Sequence, residues 1–79
     1  MISIDKTKKR VIVNLNKEFY NVDSVKKAAE DFKDTSDISV SDKEAIIIIM
    51  KLKDSSYLNN IGYEFCNYVL ALMKNEALV

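Results

Sequence analysis

The sequence predicts a single small α+β domain over residues 1–79, built of two layers in the element order β-α-β-β-α. The chain is 79 residues long, which allows one domain. Apolar residues make up 48% of it and charged residues 30%, a balance typical of a folded globular chain. Apolar positions repeat at a period of two in the strand segments and at helical spacing in two other segments.

The first strand is predicted at 10–15, where Val11, Val13 and Leu15 alternate with residues of the other face. Ile2 and Ile4 alternate in the same way before a polar stretch of lysines. Either a short hairpin opens the chain, or a frayed tail precedes the first strand. We favour the hairpin, which adds an N-terminal edge strand.

The first helix is predicted from Val22 to Phe32 or Lys33. Asn21 is a short polar acceptor placed as an N-cap, and Asp23 follows at the positive end of the helix dipole. Apolar residues then recur at helical spacing while the lysines face away, as expected of a helix that buries one side.

Two further strands follow, the first an edge strand around Ile38 and Val40. After a turn at Asp42-Lys43, the segment 45–50 is apolar on both faces, which is typical of a central strand. Placing it centrally gives the sheet order 1-3-2, half of a ferredoxin-like sheet, with two helices on one face. Ile47 and Ile49 then lie on the open face, where we expect a second copy or another partner to dock.

The residue types that are missing exclude many chemistries. The chain has no His, one Cys and one Gly, so a zinc site of thiolates, an internal disulfide and a glycine-rich phosphate loop are all excluded, and the commonest zinc ligand is absent. We therefore predict no catalytic residues, no metal and no cofactor. The formal net charge of +0 argues against nucleic acid as the main partner. The lone Cys, with no signal peptide or membrane span recognised, predicts a cytoplasmic protein.

The last helix, predicted from Tyr57 to Lys74 or Asn75, is more apolar than one small sheet requires. Residues 55–79 contain 15 apolar residues and 3 charged ones. A helix that is apolar around most of its circumference is expected to be covered on more than one side. The alternative is that its tyrosines only shield the flanks of the core. Gly62 within the buried stripe predicts close backbone packing, and Cys66 at its edge is interpreted as a small hydrophobe.

Two segments carry a family resemblance: residues 20–29, Tyr-Asn-Val-Asp-Ser-Val-Lys-Lys-Ala-Ala, and residues 62–70, Gly-Tyr-Glu-Phe-Cys-Asn-Tyr-Val-Leu. With both in view, the chain resembles the His-Xaa-Ser system protein HxsD family over residues 11–74. Lys74 stands where an Arg would be expected. The matching residues are Tyr20, Ala28, Ala29, Phe65, Cys66, Asn67 and Leu70.

The resemblance implies a non-enzymatic accessory protein of a system that matures ribosomally made peptides (RiPPs). Its partner would be the precursor peptide or a radical S-adenosylmethionine (radical SAM) maturase. The predicted partner-binding residues lie on the last helix and on the open sheet face: Tyr57, Tyr63, Asn67, Tyr68, Leu70, Ile47 and Ile49. The alternative is a homodimeric regulatory or antitoxin-like protein that makes weak nucleic-acid contacts through Lys8, Lys9 and Arg10.

Overall fold

Four strands and two helices form the fold in a computed structural model, which describes residues 2–77 of the chain and the side chains of residues 2–75. A single 3₁₀ turn precedes the second helix. The elements are β1 (Ile2–Asp5), β2 (Arg10–Leu15), α1 (Val22–Asp31), β3 (Ser36–Asp42), β4 (Ile46–Leu52), the 3₁₀ turn (Ser55–Tyr57) and α2 (Ile61–Ala77).

The strands form one antiparallel sheet in the order β1-β2-β4-β3. The isoleucine-rich strand β4 is central, between β2 and β3, as its apolar character on both faces predicts. The predicted half-ferredoxin-like order 1-3-2 is not confirmed for the whole sheet. The sheet has four strands, because β1 adds one at the edge. β1 occupies the outer edge of β2, with Ile2 opposite Val13 and Ile4 opposite Val11.

Both helices cover the same face of this sheet. The strand residues that face them are buried at every second position, and Phe65 and Val69 of α2 and Val25 of α1 complete the same apolar cluster. The predicted alternation along β4 is confirmed, since Ile46, Ile48, Met50 and Leu52 are buried and the residues between them are not. The strand residues of the core are Val11, Val13, Leu15, Ile46, Ile48, Met50 and Leu52.

Helix α1 begins at Val22, as predicted. The Asn21 side chain accepts hydrogen bonds from the main-chain N–H groups of Asp23, at 2.8 Å, and Ser24, at 3.1 Å. These bonds satisfy donors that have no partner within the helix. The helix ends at Asp31, one or two residues earlier than predicted, because the carbonyl of Phe32 accepts the N–H groups of Thr35 and Ser36 and turns the chain toward β3.

Helix α2 begins at Ile61, so the predicted start at Tyr57 is wrong. The Asp54 side chain accepts the N–H of Ser56 at 2.9 Å and caps a short 3₁₀ turn instead. The carbonyl of Tyr57 then accepts the N–H of Asn60, and the α-helical pattern starts with the bond from Glu64 to Asn60. The periodicity alone does not reveal this break, because Leu58 and Ile61 are buried on both sides of it.

The β3–β4 hairpin is longer than predicted. β3 continues to Asp42, which lies opposite Ile46, so that the turn falls on residues 43–45. Lys17 contacts the β3 side of this turn, since its ammonium group lies 2.7 Å from the Asp42 carboxylate and donates to the Lys43 carbonyl at 2.9 Å.

Candidate partner-binding surface

The exposed side of α2 carries a stripe of three residues, Tyr63, Asn67 and Leu70, hereafter the outer stripe. They follow one another at intervals of four and three residues and therefore share one side of the helix. Tyr63 is 63% exposed and Leu70 is 45% exposed, whereas Phe65 and Val69 on the opposite side are fully buried. The prediction that Asn67 faces away from the core is confirmed, since its side chain is exposed. The side chains of Tyr63 and Leu70 therefore do not belong to the domain's own core.

An open groove of about 770 Å³ runs beside the outer stripe, between α2 and the end of the sheet where β2 finishes and β4 starts. Tyr63 belongs to both the stripe and the groove, so the two form one continuous surface. Tyr20 and Cys66 both lie on this groove. The groove is lined by Ile2, Asn14, Leu15, Asn16, Tyr20, Glu44, Ala45, Tyr63 and Cys66.

Cys66 is half-buried, at the edge of the core, as its position beside the buried stripe of α2 predicts. Burial raises the pKa of its thiol above the ordinary value, because the charged thiolate is poorly solvated there. The protonated thiol is a weak nucleophile. At this position Cys66 therefore acts as a small apolar residue on the wall of the groove.

Tyr68 is the predicted site residue that faces inward, toward α1. Its hydroxyl donates a hydrogen bond of 2.6 Å to Oδ2 of Asp31, and its ring makes an edge-to-face contact with the ring of Phe32, with centroids 5.4 Å apart. Lys27 donates to the other carboxylate oxygen at 3.0 Å. Tyr68 thus joins α2 to α1 and does not extend the outer stripe.

The bonds to Asp31 shift the protonation equilibria of all three side chains. The hydrogen bond from Tyr68 and then that from Lys27 lower the pKa of Asp31, because both stabilise the carboxylate. The same contacts raise the pKa of Tyr68 and that of Lys27, since each loses a favourable interaction on deprotonation.

Tyr57 is 55% exposed but lies apart from the outer stripe. It borders a different groove, of about 370 Å³, on the side of α2 that faces the end of α1. Phe32, Ile61 and Glu64 are among the other residues of that groove. The structure therefore divides the predicted tyrosines among three surroundings.

The open face of the sheet carries Ile47 and Ile49, the second predicted surface. No described residue covers this face, and Ile49 is 36% exposed. Ile12 lies directly opposite Ile49 on β2 and completes a short row of three isoleucines. Ile12 is not among the site residues predicted from the sequence. Ile12 lies between Val11 and Val13 in β2, so its side chain faces the opposite side of the sheet from theirs, which is the open face.

Phe19 is a second apolar residue that the sequence analysis did not single out. It is 67% exposed, in the turn between β2 and α1. Periodicity assigns faces only within helices and strands, so no sequence signal indicates the exposure of a residue in a turn.

The basic residues named for the nucleic-acid alternative lie at the first hairpin. Lys8 and Lys9 are exposed in the turn between β1 and β2. The guanidinium of Arg10 lies 3.7 Å from the Asp5 carboxylate, a half-exposed pair that contributes little to stability. Among residues 2–77 there is no group of three or more His, Cys, Asp or Glu residues that could hold a metal ion.

No helix in the described part of the chain has the length and apolar character needed to cross a membrane. Comparisons with protein-family models, with curated proteins and with solved structures give no match. The fold and the surface together define a small two-layer α+β domain with an exposed apolar stripe beside a groove.

Proposed function

We propose that this protein is a non-enzymatic binding module, which holds a protein or peptide partner on the outer stripe of α2 and the adjoining groove. The observation that carries the proposal is the exposure of Tyr63 and Leu70 on a helix whose opposite side already fills the core. Large apolar side chains grouped on a surface mark interaction sites, and Tyr is enriched among residues that dominate binding energy.

The chemistry of the surface supports binding rather than catalysis. Catalytic sites need groups whose pKa is tuned to transfer protons or to attack a substrate near neutral pH. On the stripe and the groove, the pKa shift of Cys66 favours its inert protonated form. Several other side chains there are suited to contact: the aromatic rings of Tyr20 and Tyr63, the amide of Asn67 and the branched chain of Leu70.

The class of partner follows from the resemblance to the HxsD family. Four of the seven matching residues border the proposed surface: Tyr20 and Cys66 in the groove, Asn67 and Leu70 on the outer stripe. We propose that the partner is the precursor peptide or the radical SAM maturase of a peptide-maturation system. The protein would then act in the cytoplasm, as an accessory that brings peptide and enzyme together.

Affinity capture from the native host with two variants of the tagged protein tests this proposal. The double variant Tyr63→Ala, Leu70→Ala removes the apolar part of the outer stripe. Tyr57→Ala removes a tyrosine of similar exposure from the other groove and serves as the matched control. Captured proteins and peptides are identified by mass spectrometry, and their amounts are compared among the three baits.

We expect the wild type and Tyr57→Ala to retain a radical SAM enzyme or a small precursor peptide, and the double variant to lose it. Retention of the same partner by the double variant would place the binding site elsewhere. A wild-type bait that retains neither class of partner would contradict the proposed role in peptide maturation.

A further inference from the structure

The outer edge of the sheet at β3 is long and has no strand paired with it among the described residues. β3 has seven residues, Ser36–Asp42, which pair with β4 in a continuous register without a bulge. No strand among residues 2–77 pairs with its other side. Proteins usually protect such edges with charged side chains, above all Lys, with Pro or with a bulge. β3 has no Lys, Pro or bulge, and its charged residues are Asp37 and Asp42 near its two ends. The opposite edge differs, because β1 has only four residues.

The main-chain groups on this edge belong to the even-numbered residues of β3, and among them the N–H of Ser36 already donates to the carbonyl of Phe32. The carbonyl of Thr35 accepts the N–H of Lys53, and the N–H of Lys43 bonds to the carbonyl of Ala45, so the odd-numbered positions direct their hydrogen bonds toward the β4 side. In an antiparallel pair these directions alternate along the strand. Ile38 and Val40 therefore point their N–H and C=O groups outward, away from β4.

On each side of Ser39, β3 has one apolar residue, Ile38 or Val40, followed by one Ser and one Asp. Pairing this strand antiparallel with its own copy, with Ser39 opposite Ser39, sets Ile38 opposite Val40 on the helix side. Asp37 then lies opposite Ser41, and Ser36 opposite Asp42, so no two like charges meet. This is the self-complementarity that a two-fold symmetric interface requires.

We propose that two copies of this protein pair through β3, antiparallel about Ser39, to form one continuous eight-stranded sheet. The outward N–H and C=O groups of Ile38 and Val40 bond to those of Val40 and Ile38 in the second copy. On the helix side, a groove of about 400 Å³ opens at this edge between β3 and α1, and Ile38, Val40 and Ala29 form its apolar part. The second copy closes this groove.

Charge variants at Ser39 test the pairing directly. Ser39 is exposed on the open face, at the centre of the proposed symmetry. In this register the two Cα atoms of position 39 lie about 4.5 Å apart. We expect sedimentation equilibrium of the wild type to approach twice the mass of 9.0 kDa as concentration rises. Ser39→Lys and Ser39→Glu should each raise the dimer Kd at least about tenfold, because like charges face each other.

An equimolar mixture of Ser39→Lys and Ser39→Glu should recover the dimer, since opposite charges then meet across the axis. Ser3→Lys, on the same sheet face at the β1 edge, is the control and should leave the wild-type dimer unchanged. A monomeric wild type would overturn the proposal. It would do so even if an extended peptide, rather than a second copy, pairs with this edge. A dimer that tolerates Ser39→Lys, or a mixture that does not recover, would place self-association on another surface.

Discussion

At the scale of single residues, the contact between the helices depends on Asp31. One carboxylate oxygen accepts from Tyr68 of α2 and the other from Lys27 of α1. Because these bonds lower the pKa of Asp31, its contribution to stability is present above the pKa it has in the unfolded chain. That contribution is lost as the pH falls through the lower pKa of the folded state, below about pH 4.

We predict that Tyr68→Phe raises the pKa of Asp31 toward its ordinary value, because the variant lacks the hydroxyl that donates to the carboxylate. An NMR titration of the Asp31 carboxyl carbon measures this directly. Tyr57→Phe is the control, since its hydroxyl makes no bond to Asp31. An unchanged Asp31 titration in Tyr68→Phe would show that the 2.6 Å bond is not formed in solution.

Gly62 lies where the backbone of α2 packs closely on the sheet. A Cβ at this position would lie 2.8 Å from Cγ2 of Ile2 and 3.2 Å from Cγ1 of Val11. The prediction of close backbone packing is thereby confirmed, with the specific neighbours on β1 and β2. Within a helix Gly is less favourable than Ala by about 1 kcal/mol, so the close approach offsets a cost in helix propensity.

We predict that Gly62→Ala and Ile2→Ala are coupled. In the wild-type background the new methyl group meets Ile2, whereas in the Ile2→Ala background the closest contact is removed and the gain in helix propensity remains. Gly62→Ala should therefore change the free energy of unfolding differently in the two backgrounds. Its effect in the Ile2→Ala background should be more stabilising, or less destabilising, than in the wild type by at least about 0.5 kcal/mol. Urea denaturation of the four proteins measures the coupling. Additive effects would mean that β1 does not pack against α2 at this point.

At the scale of elements, the start of α1 depends on one side chain. We predict that Asn21→Ala lowers the free energy of unfolding by about 1 kcal/mol, because it leaves the N–H groups of Asp23 and Ser24 without their acceptor. Asn59→Ala, at an exposed position between the 3₁₀ turn and α2, is the control and should change it by less than about 0.5 kcal/mol. Equal effects from the two changes, measured by thermal or urea unfolding, would refute the capping role.

Some element boundaries could be predicted from the sequence and others could not. The start of α1 and both ends of β2 follow from strong local signals, a cap and a strict alternation. The start of α2 does not, because Asp54 and Tyr57 form a 3₁₀ turn inside a segment whose apolar spacing continues through it. The sequence leaves two alternatives for β1, an edge strand or a frayed tail. Its four residues carry too short a pattern to decide between them.

At the scale of the whole molecule, the proposed surface and the core are separable. Sequence periodicity predicts which side of α2 is buried, and the exposure of Asn67 and Leu70 agrees with it. It does not predict that Tyr68 bonds to Asp31 or that Tyr20 and Cys66 meet at one groove, because these contacts join residues distant in the chain. Such contacts depend on how the elements pack, which a local pattern does not encode.

This separation predicts that binding and stability respond to different changes. Tyr63→Ala and Leu70→Ala should each alter the free energy of unfolding by less than about 0.5 kcal/mol, since both residues are exposed and neither belongs to the core cluster. Phe65→Ala, on the buried side of the same helix, should cost about 3–5 kcal/mol. Chemical denaturation checks both. A large loss of stability in Tyr63→Ala would indicate that the stripe supports the fold rather than a partner.

The most direct test of the proposed surface is site-specific photo-cross-linking in the native host. A photoreactive p-benzoylphenylalanine is placed at Asn67 on the outer stripe, and separately at Lys51 on the open sheet face. We predict that the position 67 probe becomes linked to a radical SAM enzyme or a precursor peptide and that the position 51 probe does not. Cross-linking of that partner from position 51 alone would contradict binding through α2.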